Sequence, residues 1–133
     1  TEIFKKGELL YNYHRAKDEA RSVGQVIIME GFMDVMRAYT VGVKNVVATM
    51  GASLSVEQRN LLLGLGKKII VIGDLDEAGK RLGQSVYNQC YRFANVVQID
   101  LGQFTKIEKS SPCESDIGFD DMCELVEYIR SVI

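Results

Sequence analysis

The sequence predicts an α/β fold built on a parallel sheet with helices on both faces. Three observations predict it. Short apolar, β-branched runs alternate with amphipathic stretches of helical period along most of the chain. Glycines stand where the expected elements end, at Gly24, Gly42 and Gly66. The runs Val26 to Met29 and Ile69 to Ile72 are continuously apolar, as strands covered on both faces are.

Residues 7 to 23 read as a first helix, with Leu9, Leu10, Tyr13, Ala16 and Ala20 on one face and Gly24 as its stop. Residues 25 to 30 form strand one, Gly31 turns the chain, and a helix runs from 33 to 41, ended by Gly42. Residues 45 to 49 are strand two. A small, glycine-bearing loop follows, and Ser55 caps a helix that runs to about residue 65. Residues 68 to 73 are strand three, 76 to 93 a long amphipathic helix, and 95 to 99 strand four. Residues 102 to 118, with Ser110, Ser111 and Pro112, lack periodicity and read as a loop. A last helix spans 119 to 132.

Composition narrows the function. The 133 residues suit one domain with a core, and 47% of them are hydrophobic. No apolar stretch is long enough to cross a membrane. The N-terminus has no apolar region of a signal peptide and no starting Met, so a processed chain or an excised piece of something larger is expected. Cys90, Cys113 and Cys123 form no C-x-x-C pair, which points to reduced thiols in the cytoplasm. His14 is the single histidine, so a His-based triad or His-rich metal site is not expected. The net charge of −2 is low for a nucleic-acid binder, but the charge is uneven. From Asp100 onward eight acids face three bases, so a phosphate-binding surface belongs to the earlier part, near Lys5, Lys6, Arg15, Lys67, Lys68, Lys80 and Arg81.

Two acidic clusters carry the chemistry. Glu30 ends strand one, with Asp34 four residues on, and Asp74 and Asp76 follow strand three. Open α/β sheets place ligands at the carboxyl ends of their strands. Carboxylates gathered there repel one another unless a hard cation such as Mg2+ sits between them. Each acid also has a plainer reading. Glu30 suits a solvated strand end or a helix cap, and Asp34 the first turn of a helix. Asp76 suits an N-cap, leaving Asp74 solvated, although alternation along an extended segment would point the two side chains the same way. Asp120 and Asp121 decorate the first turn of the last helix, whereas Asp116 is not explained in that way. Gly31 and Gly51 taken singly are ordinary turn glycines.

Taken together, these motifs resemble the toprim domain, and within it the DnaG-type primases of bacteria and phages. Glu30-Gly31-Phe32-Met33-Asp34 is similar to that family's E-G-Y-M-D. Asp74-Leu75-Asp76-Glu77-Ala78-Gly79 is similar to D-G-D-x-A-G, with Leu75 in place of the usual glycine. Met50 to Ser55 resembles the glycine-threonine loop after the second strand, and Ile3 to Tyr11 the segment that precedes toprim. Asp116 matches the first acid of a later D-P-D motif, whose second acid has no clear counterpart. The likeness covers nearly the whole chain.

The resemblance implies a toprim fold of about four parallel strands, with residues 1–24 a lead-in from the primase core and 25–133 the toprim domain. It implies metal-dependent synthesis of RNA primers on single-stranded DNA from ribonucleoside triphosphates, in a bacterial or phage-infected cell, alongside a replicative helicase. Glu30, Asp74 and Asp76 would be catalytic. These three, with Asp34 and Asp116, would hold Mg2+ or Mn2+, and Lys6, Gly31, Gly51 and Lys80 would meet nucleic acid or nucleotide. Alternatives are a toprim nuclease or topoisomerase-like enzyme, and a non-catalytic nucleic-acid-binding remnant. The isolated fragment is expected to have little activity alone.

Overall fold

A computed structural model of the chain describes residues 9–40, 42–51, 53–73 and 77–99. They form α1 (Tyr13–Val23), β1 (Gln25–Met29), α2 (Phe32–Thr40), β2 (Val46–Ala48), α3 (Val56–Leu63), β3 (Lys68–Ile72), α4 (Glu77–Cys90) and β4 (Asn95–Ile99). The loop and last helix expected beyond residue 100 lie outside the described residues.

The four strands make one all-parallel sheet in the order β2-β1-β3-β4. β1 and β3 are central, and four of the five residues in each are buried. This accounts for their unbroken apolar runs: a strand covered on both faces has no solvent side on which to place polar residues. β4 lies at an edge of this sheet and is more exposed.

Two cores sandwich the sheet. On one face Val35 and Ala38 of α2 pack against Ile27, Met29, Val46 and Ala48. On the other, α1, α3 and α4 contribute Ala16, Ala20, Leu62, Leu82, Val86 and Cys90 against Val26, Ile28, Val47, Ile69 and Val71. This division follows from the handedness of the connections. Parallel strands are joined by right-handed crossovers. The step from β1 out to β2 therefore puts α2 on one face. The steps back to β3 and on to β4 put α3 and α4 on the other.

The capping residues act as their chemistry requires. Gly24 closes α1 in a left-handed conformation, φ 79°, and its N–H donates to the carbonyl of Ala20. Ser55 caps α3 through a reciprocal box in which its hydroxyl accepts from the Gln58 N–H and its N–H donates to the Gln58 side chain.

One boundary differs markedly from expectation. The first helix starts at Tyr13, not at residue 7. Tyr11 instead runs antiparallel to β2 and exchanges two backbone hydrogen bonds with Ala48, at 2.8 and 3.2 Å. Asn12, in the left-handed region at φ 68°, turns the chain into α1 and donates from its side chain to the carbonyl of Val46. The outer groups of β2 attract this segment more strongly than one further helical turn would, because Leu10 is thereby buried in the core.

Candidate functional site

The strand order makes one point of the sheet special. β1 sends its chain to one side through α2, and β3 sends its chain to the other through α4. A crevice opens at such a switch point, beyond the carboxyl ends of the two strands. Met29 of β1 lies beside Ile72 of β3 in the ladder, so the two central strands finish level. Adjacent strands lie roughly 4.8 Å apart. Glu30 is the next residue after β1, and Gly73 the next after β3.

Glu30 is half-buried, and its backbone is held in place. Its carbonyl accepts a hydrogen bond of 2.8 Å from the N–H of Met50, and the carbonyl of Met29 accepts one of 3.1 Å from Thr49. The loop after β2 thus braces the end of β1. Asp34, in the first turn of α2, is only 3% exposed. Glu30 Oε2 and Asp34 Oδ1 are both buried oxygen atoms, and both residues make further interactions. Gly31 lies between them with an ordinary negative φ. Among the described residues, a methyl group placed there would meet only the Asp34 carboxylate, at 3.8 Å. The missing side chain leaves that approach open.

The loop after β2 is itself firmly tied. The Thr49 hydroxyl donates to the Gly51 carbonyl and accepts from the Gly51 N–H. Met50 adopts a left-handed conformation at φ 64°. The buried side-chain amide of Gln58 donates to the carbonyls of Thr49, at 3.1 Å, and Leu9, at 2.9 Å. From α4, the Ser85 hydroxyl accepts from the Leu54 N–H, and Gln89 donates to the Leu54 carbonyl. Among the described residues, none but its chain neighbours stands within 4 Å of where a Gly51 side chain would begin.

Of the expected site residues, the structure brings Glu30, Gly31, Asp34 and Gly51 to the carboxyl-terminal edge of the sheet. Lys80 is exposed in the first turns of α4 and makes a contact of its own. Asp74, Asp76, Asp116 and Lys6 lie outside the described residues. Among the described residues, no three His, Cys, Asp or Glu side chains gather closely enough to hold a metal ion. His14 is exposed on α1, and Cys90 is buried in the last turn of α4, far along the helix from this edge. Among the described residues, no helix is long and apolar enough to cross a membrane.

Sequence reasoning missed two residues that shape the site. Met50 carries no local signal for a left-handed backbone. Gln58 did carry one, because Ser55-x-x-Gln58 is a capping-box pattern. Its further reach to Thr49 and Leu9 depends on contacts distant in sequence.

Comparison with known proteins agrees with this geometry. Residues 27–103, more than half of the chain, match the family model described as Toprim-like. A DNA primase of Borreliella burgdorferi is 34% identical over 99% of this chain, which spans 26% of that relative. The crystal structure of the Aquifex aeolicus primase, comprising its zinc-binding and RNA polymerase domains, superposes with a TM-score of 0.75. It is 29% identical, and the match covers 98% of this chain and 31% of that one. A DnaG primase catalytic domain bound to ssDNA matches with a TM-score of 0.54 and 28% identity, covering 66% of this chain and 27% of that one. The chain spans about a quarter or less of the curated relatives it matches. The parallel sheet, the acid that closes β1 and a match that runs from within β1 through β3 and β4 lead to one assignment: this chain belongs to the Toprim-like family.

Proposed function

We propose that this chain is the toprim part of a DNA primase that joins ribonucleotides into primers on a single-stranded DNA template. The observation that carries the reading is the register of Met29 with Ile72, which sets Glu30 beside the strand that leads to Asp74 and Asp76. The similarity to bacterial DNA primases supports the same reading. Neither a nuclease or topoisomerase-like enzyme nor a non-catalytic remnant finds comparable support among these relatives.

The donors at this edge suit Mg2+ or Mn2+. The acids are oxygen donors, which hard cations prefer, and the described histidine and cysteine stand elsewhere. Asp74 and Asp76 would hold the ion, with Glu30 as a further ligand or a base for the attacking 3′-hydroxyl. Asp116 would add a ligand, and Asp34 a secondary one. When bound, the cation would polarise the α-phosphoryl group and offset charge on the departing pyrophosphate. Lys6 and Lys80 would contact phosphates, and Gly31 and Gly51 would let nucleotide approach the backbone. Ribonucleoside triphosphates would be the substrates, and a replicative helicase a partner.

The test is primer synthesis by the intact primase carrying Glu30→Gln or Asp76→Asn. Each change should lower synthesis by at least about a hundredfold, as losing a few kcal/mol of charge stabilisation at the reacting phosphate implies. The melting temperature should not fall. Undiminished primer yield in either variant would overturn the assignment.

A further inference from the structure

α4 bears a surface that the acidic site does not use. From Ala78 through Ile99 the sequence has no Asp or Glu but three bases, Lys80, Arg81 and Arg92, in a chain that carries 18 acids and a net charge of −2. The buried side of the helix is Leu82, Val86 and Cys90. Its outward side presents Arg81, Gln84, Tyr87 and Tyr91, all exposed. The rings of Tyr87 and Tyr91 stack one turn apart, with centroids 5.3 Å apart and planes at 16°. The Arg92 guanidinium lies 5.5 Å from the Tyr91 ring centre, and Phe93 beyond it is 65% exposed. The helix starts at the site edge and runs back along the sheet for about 21 Å at 1.5 Å per residue. A cationic stripe whose own stretch of sequence, 78 to 99, holds no carboxylate, and which carries flat exposed rings, is complementary to a polyanion with unpaired bases.

We propose that the outer face of α4 binds single-stranded DNA. A base stacks on the Tyr87–Tyr91 pair, and Arg81 and Arg92 meet the flanking phosphates. The assignment of this strand as template rests on the primase reading above. The binding surface itself is separate from the acidic edge and needs no metal.

The experiment is fluorescence anisotropy of a labelled oligo(dT) of about 12 nucleotides, a length within the usual single-strand site sizes, titrated with the chain in EDTA. The double variant Tyr87→Ala/Tyr91→Ala should bind at least about fivefold more weakly, the lower bound for losing one stacked base. Tyr87→Phe/Tyr91→Phe keeps the rings and should bind as the parent does. Arg81→Ala and Arg92→Ala should each reduce the salt slope by about 0.7. The chain has no Trp, so quenching of tyrosine emission on saturation would report the stacking directly.

Parental affinity in the double alanine variant would overturn the proposal, and would leave the stripe as a surface for a protein partner. Should that variant fail to fold, unchanged salt slopes in both arginine variants would overturn it equally. The two readings are separable through Glu30→Gln. Oligo(dT) binding retained with primer synthesis lost supports both. If the tyrosine variants bind normally while Glu30→Gln abolishes synthesis, the α4 surface alone is refuted. If Glu30→Gln still makes primers while the double alanine variant loses binding, the acidic site alone is refuted.

Discussion

The N–H of Met50 donates to the carbonyl of Glu30 at 2.8 Å, across the gap between the ends of β2 and β1. Met50 itself adopts a left-handed backbone, φ 64°. The strain falls on a side-chain-bearing residue where glycine would be easier. The position of the acid that closes β1 is thereby linked to the conformation of a different loop.

Met50→Val should therefore destabilise the fold by about 1–2 kcal/mol, because branching at Cβ makes the left-handed region costlier still. Met50→Gly should stay within about 1 kcal/mol of the parent, since relief of strain offsets the greater freedom of the unfolded chain. Urea denaturation measures both. Equal stability of the valine and glycine variants would remove the link between strain and loop.

Gln58 joins three separate segments through one buried amide. Its side chain bonds the Leu9 carbonyl, the Thr49 carbonyl and the Ser55 N–H. Gln58→Leu should cost about 2–4 kcal/mol, since it leaves one buried and two part-buried backbone groups without this partner, at about 1–3 kcal/mol for a buried group and less where water reaches. Hydrogen exchange should also quicken at Met50 and Gly51. A loss below 1 kcal/mol would mean that water replaces the amide.

Gly66 admits no side chain. A Cβ there would lie 2.8 Å from the carbonyl carbon of Gly24 and 2.9 Å from the nitrogen of Gln25. Both are backbone atoms, so neither can turn aside. Gly66→Ala should cost about 1–3 kcal/mol, as overpacking does, with a correspondingly lower melting temperature. A variant as stable as the parent would show that these two turns separate freely.

Burial pushes the Cys90 thiol above its usual value of 9.0, while Arg59 acts the other way. The folded state then holds the proton more tightly than the unfolded state. This contribution is complete below the unfolded value and declines as pH rises through it towards the higher folded value. Cys90→Ala should be less stable than the parent at pH 7, and the gap should narrow towards pH 10. Paired urea titrations at the two pH values measure it. A constant gap would contradict the assignment.

Much of this was legible in the sequence, and unevenly so. β1 and β3 stood out because a strand buried on both faces must be apolar throughout. Gly24 and Ser55 were legible because capping is local chemistry. The start of α1 was misplaced because Leu9 and Leu10 fit a helical period equally well. What decided it was the edge of β2, more than thirty residues away in sequence. Glu30 and Asp34 were found as acids after a strand. The bracing of Glu30 by Met50, and of Thr49 by Gln58, was not, because those contacts exist only once the strands have assembled.

The bridge from Tyr11 to Ala48 also bears on association between molecules. An uncovered strand margin invites a second chain to add to the sheet. Residues 9–12 cover that margin on β2. Removing them would expose it and favour clumping of the shortened protein, although every residue of the acidic edge would still be present.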